Sequence, residues 1–315
     1  MSEPLGLVDA MYAAARWGWY LSAFLLLGAS SYAPFFFSLP TRLRDSHREL
    51  AAEITRRAAR IALAAAAVLV LLTAVRLYLQ SKTLLDPGEP VTGEFLGAVL
   101  GSNWGRGWKR QAIAGVLALI GFALAQRGSR GAWLLAVIAS LAVGATAGMT
   151  EHANTTRAGP GGILLDATHV VAGGLWLGGV GVMLLAGVTA CGRMRTEERT
   201  DALRALVAGF SRRALVLAPL TITLGVWLAA RYLGWSFPLH LTASSYGWVL
   251  AGKLTALAGT GTMGAYNWRI TQPRLNETGG EQRLRRVSAL ELLFGVVLLG
   301  LTAVLVALPL PEGRM

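Results

Sequence analysis

An all-α bundle of eight membrane-spanning helices is the fold this sequence predicts, and three observations predict it. The 315 residues are 54% hydrophobic and only 15% charged, with a mean hydropathy of +0.51; soluble domains carry roughly 25% charged residues. Apolar runs long enough to cross a hydrocarbon core of about 30 Å recur along the whole length. The basic residues gather in alternate connections between those runs.

The first two spans are Trp17–Phe37 and Ile61–Leu79. The longest outward segment follows, residues 80–110, and contains the turn cluster Asp86-Pro87-Gly88-Glu89-Pro90. After it Phe95, Leu96, Val99 and Leu100 recur at helical spacing, as in a short helix along the interface; a plain long loop fits equally. The third span, Gln111–Leu124, is short unless the flank at Trp108 and Lys109 snorkels into the interface. The remaining spans are Ala132–Met149, Ile163–Ala190, Ala214–Leu233, Trp248–Tyr266 and Leu290–Leu308. Gly174 and Gly178 of the fifth have the GxxxG spacing of closely packed helices, with the fourth or seventh span as the expected partner. Trp17, Trp104, Trp108, Trp235 and Trp248 lie near span ends, as interfacial belts do. No insertion is large enough for a soluble domain, so residues 1–315 read as one transmembrane domain.

The net charge of +12 invites a nucleic-acid reading, but its distribution argues against one. Arg42, Arg44, Arg48, Arg56, Arg57 and Arg60 fall between the first two spans, and Arg127 and Arg130 in the 3–4 turn. Arg193, Arg195, Arg199, Arg204, Arg212 and Arg213 follow the fifth, and Arg269, Arg274, Arg283, Arg285 and Arg286 follow the seventh. Most of the 29 Lys and Arg therefore lie on one face, which the positive-inside bias makes cytoplasmic, with both termini periplasmic. The N-terminus lacks the basic region of a cleavable signal peptide, so the first span is expected to stay as an anchor. A lone cysteine, Cys191, builds neither a disulfide framework nor a CxxC site.

Ionisable residues inside spans are costly and mark candidate sites. His169 lies in the apolar fifth span, about 10 Å below the turn Gly159-Pro160-Gly161-Gly162. Asp166 precedes it by three residues, on the same helix face. Glu151 and His152 close the fourth span, and Met149 shares a face with His152. A short connection makes these two spans antiparallel neighbours, so His152 and His169 can converge on a metal. Asp166 would orient the His169 ring, and imidazole with a thioether suits copper. The competing readings are a solvated His152, a buried His169 satisfied by a carbonyl, and a Met149 that only packs. Lys253 in the seventh span should match His169 in depth and could balance Asp166 or Glu151; the alternative is snorkelling to the surface. His240 falls in an outward loop and His47 in a basic one, and Met183 lies deeper in the fifth span. Neither HExxH, GxSxG, CxxC nor a phosphate loop occurs, so no enzyme is expected.

His169 followed by Trp176-Leu177-Gly178-Gly179 resembles a signature of the copper resistance protein D (CopD) family, bacterial copper-resistance and copper-transport membrane proteins. The resemblance extends through Glu151-His152-Ala153, Phe210-Ser211-Arg212, Tyr246-Gly247 with Lys253, Asn267-Trp268-Arg269 with Pro273, and Gly105-Arg106 with Trp108 and Arg110. It implies an eight-span inner-membrane protein handling copper received from a separate periplasmic carrier. In that reading His152, His169 and Met149 bind copper, with Asp166, Glu151, Lys253 and Trp176 in support. Two alternatives belong to other classes: a b-type cytochrome with His152 and His169 as axial haem ligands, and a non-metal assembly subunit in which these groups form a hydrogen-bond network.

Overall fold

The computed structural model describes the whole chain except residues 1–5, 35, 38–45, 87, 151–158, 236, 242–243 and 309–315, and except the side chains of 46–47, 159–160, 196–197 and 239–240. The described residues are helical with no strand. In chain order the helices are α1 (Leu7–Ser30), α2 (Ser46–Thr83), α3 (Gly93–Gly101), α4 (Asn103–Ala125) and α5 (Arg130–Thr146), which tightens into a 3₁₀ turn at Ala147–Thr150. Helix α6 starts as Gly159–Gly173 and runs on to Cys191 through two π-helical stretches, Gly174–Gly178 and Met183–Val188. Then come α7 (Thr196–Leu233), α8 (Ser245–Tyr266) with a π-turn at Asn267–Thr271, and α9 (Gly280–Ala307).

Small polar residues start several of these helices by accepting orphan backbone N–H groups. Thr92 caps α3 at Phe95 N, Ser102 caps α4 at Gly105 N, Ser129 caps α5 at Ala132 N, and Ser244 caps α8 at Gly247 N. Of the short helix and the plain loop that fit equally after the Pro-rich turn, the helix is present, as α3. The third span is longer than its apolar run, because α4 takes in Asn103 to Arg110 and reaches 23 residues.

Six helices are long and apolar enough to cross a membrane, among the described residues: Arg48–Thr83, Asn103–Ala125, Arg130–Thr150, Gly161–Cys191, Glu198–Leu233 and Gly280–Ala307. The two other expected spans correspond to α1 and α8, which have 24 and 22 residues and are not among those six. Helix α1 packs against α2, α5, α6 and α9, and Trp19, Ala23, Leu26 and Leu27 are fully buried. A helix surrounded by protein has less need of an apolar surface all round.

Two features set the geometry near the site. The GxxxG face of α6 meets α1, not the fourth or seventh span: Gly174 lies against Leu27, and Gly178 against the Phe24 carbonyl and Gly28. A Cβ on Gly178 would stand 1.7 Å from Phe24 O, so the backbones touch where only glycine fits. Secondly, fully buried Arg76 of α2 donates to Gln111 Oε1 (3.1 Å) and Thr150 Oγ1 (2.9 Å), with its guanidinium 5.1 Å from the Trp19 ring. Gln111 Nε2 donates to Thr146 O at 2.8 Å. This knot fixes the end of α5 against α1, α2 and α4. Trp17 and Trp108 are not simple belt residues, since their indoles donate to Val296 O and Thr73 O on other helices. Trp235 and Trp248 are exposed.

At the opposite end the arginine-rich segments are tied by ion pairs: Arg57 and Arg56 to Glu53, and Arg199 and Arg285 to Glu281. This is called the basic end below.

Candidate metal-binding cavity

His169 faces a cavity of about 220 Å³ between α1, α6, α7, α8 and α9, in the half of the bundle away from the basic end. Its walls are mostly apolar and aromatic, with Tyr20, Phe24 and Trp176 among them. Asp166 and Lys253 line the same space. Asp166, His169, Lys253 and Trp176, four of the residues singled out from the sequence, therefore share one cavity.

The imidazole is held by α7. His169 Nδ1 lies 2.9 Å from the Thr221 carbonyl oxygen. A carbonyl only accepts, so Nδ1 carries the proton, and in the neutral ring Nε2 keeps its lone pair. Gly225, one turn after Thr221, makes the seat: a Cβ there would come within 2.9 Å of His169 Cε1. Thr221 Oγ1 is turned back to Leu217 O at 2.7 Å, leaving the carbonyl to orient the ring. A fixed Nδ1–H with a free Nε2 is the arrangement that metal-binding histidines commonly use.

The other predicted residues fall elsewhere. Met149 is in the 3₁₀ turn after α5, packed on Gly107 of α4, where its sulfur accepts from Arg110 Nη1 at 3.6 Å. It does not line the cavity. Met183 is buried in the second π-helical stretch of α6, also outside the lining. Glu151 and His152 lie outside the described residues, as does the side chain of His240. Among the described residues no three His, Cys, Asp or Glu side chains cluster as a metal site.

The orienting acceptor on α7 leaves no mark in the sequence. A backbone carbonyl has no residue signature, and Thr221-Ile222-Thr223-Leu224-Gly225 reads as ordinary small-residue packing. Tyr20 and Phe24 were also missed, because the expected first span begins at Trp17 and leaves out Arg16, the ionisable residue one turn before Tyr20.

The same arrangement spans two stretches of family similarity. Residues 7–163 match the family described as copper resistance protein D-like, N-terminal domain, and residues 204–305 match copper resistance protein D. The chain belongs to the copper resistance protein D family. Tyr20 and Phe24 of the cavity fall in the first CopD match and Thr221, Gly225 and Lys253 in the second. Asp166, His169 and Trp176 lie between the two, so the CopD cavity is assembled from both matched regions and the helix that joins them. No match was found among curated proteins or among solved structures.

Proposed function

We propose that this CopD-family chain is an eight-span protein of the bacterial inner membrane that binds copper in the His169 cavity and transports or delivers it. In this reading α1 and α8 complete the six more apolar spans, the basic end is cytoplasmic, and both termini and the cavity mouth face the periplasm. His169 Nε2 supplies the first ligand and Asp166 a carboxylate. His152 and Glu151 are assigned to complete the set because they directly follow Thr150, in the connection that leads from α5 to α6. Lys253 offsets carboxylate charge in a space of low polarity. A separate periplasmic carrier brings the ion.

The observation that carries the proposal is the bond from His169 Nδ1 to Thr221 O, which fixes the tautomer with its lone pair on the nitrogen a metal would use. The family supports copper as the ion. Elemental analysis and optical spectra of detergent-purified wild type, His169→Ala and His152→Ala test it. Copper held by wild type and lost in His169→Ala supports the reading. A haem spectrum, or copper content indifferent to both substitutions, refutes it.

A further inference from the structure

The basic half of the bundle holds a second buried polar group, outside the cavity lining. Glu291 of α9 is only 3% exposed, and its Oε2 accepts from Asn267 Nδ2 at 3.2 Å. The same nitrogen donates to Ser288 Oγ at 3.0 Å. Asn267 opens the π-turn that follows α8 and Thr271 closes it. Asn267 Oδ1 and Thr271 Oγ1 are both buried without a hydrogen-bond partner. Gly264 lets the two helices close over the carboxylate, since a Cβ there would stand 3.0 Å from Glu291 Oε1.

Several arginines of this end are engaged elsewhere. Arg285 and Arg199 bind Glu281, Arg269 lies over the Trp268 ring, and Arg213 lies over the Tyr32 ring and donates to Ser31 O. From α6, Leu177 and Gly181 face α9 at Gly295 and Leu292, bringing nothing titratable. Among the described residues no lysine or arginine forms an ion pair with Glu291.

A buried carboxylate without a cationic side chain is unfavourable, and so is a buried amide oxygen without a donor. A bound metal cation answers both, and a proton answers the first. The available donors are carboxylate, amide and hydroxyl oxygens, which suit a hard ion and not a soft one such as Cu(I). π-turns inside helices are frequent at functional sites. We propose that Glu291, Asn267 and Thr271 form a site for a hard monovalent cation, sodium or a proton, loaded from the basic end.

Melting temperature of the detergent-purified full chain tests this, because a ligand of the folded state raises it. Sodium occupancy predicts a rise when sodium replaces N-methylglucamine at constant ionic strength, and both Glu291→Gln and Thr271→Val remove it. Proton occupancy predicts a rise between about pH 8 and about pH 6, which Glu291→Gln removes and Thr271→Val retains. Glu291→Gln preserves size and can still accept from Asn267. Should it fail to fold, difference infrared spectra of wild type report the carboxyl group directly, with a band that shifts on adding sodium or acid. A wild type that responds to neither cation overturns the proposal, as does a response that survives in Glu291→Gln.

Discussion

His169 is positioned by an acceptor and by a gap: the Thr221 carbonyl takes its Nδ1 proton, and Gly225 leaves room for the ring. Gly225→Ala therefore tests the geometry without touching a ligand. Its methyl group would press on Cε1 and move the ring off Thr221, and copper affinity should fall by about 10- to 100-fold, as for other changes that disturb a ligand's support. A competition titration against a chelator measures it; an unchanged affinity means that the seat is irrelevant. Met149→Leu makes the complementary case. Its sulfur meets Arg110 away from the cavity, so copper affinity should change by less than about twofold, well under the factor of ten that 1.4 kcal/mol represents. The sequence made His169, Asp166 and Lys253 conspicuous because charge in an apolar span has few explanations. It could not rank Met149, because spacing along one helix does not say which neighbour that face meets.

Among the helices, α6 carries most of the architecture. Its glycines form the close contact with α1, and two π-helical stretches interrupt its regular winding. Gly178→Ala puts a Cβ onto the Phe24 carbonyl, which cannot move without separating the helices. The loss of stability should reach or exceed the roughly 1–3 kcal/mol usual for overpacking. Gly261→Ala is the control: its Cβ would meet nothing within 4 Å, and the substitution should be neutral or stabilising by up to about 1 kcal/mol in a helix interior. Thermal unfolding in detergent compares them, and equal effects would contradict the packing described. The GxxxG spacing announced a close contact but not its partner. Helix partners depend on how all the spans assemble, and α1 became central because its mixed surface is covered by protein.

Over the whole molecule, the sequence was most informative where the membrane constrains it most. Apolar runs and alternating arginines outline a helical bundle, since lipid satisfies no backbone group and the positive residues favour one side. Span count was less legible: α1 carries Arg16 and α8 carries Lys253, and a charge inside an apolar run lowers its mean hydropathy. Reporter fusions at the C-terminus should give periplasmic activity, and fusions in the connection between α6 and α7 cytoplasmic activity; the reverse pattern would invert the proposed orientation. The cavity itself required the assembled fold, because its walls combine α1 with four helices from the other half of the chain. The most direct test of the central claim is the copper content of purified protein, wild type against His169→Ala, after equal loading and desalting. Retained copper in the wild type and its loss in a folded His169→Ala variant are the predicted results. Equal copper in the two proteins would contradict a site built on this imidazole.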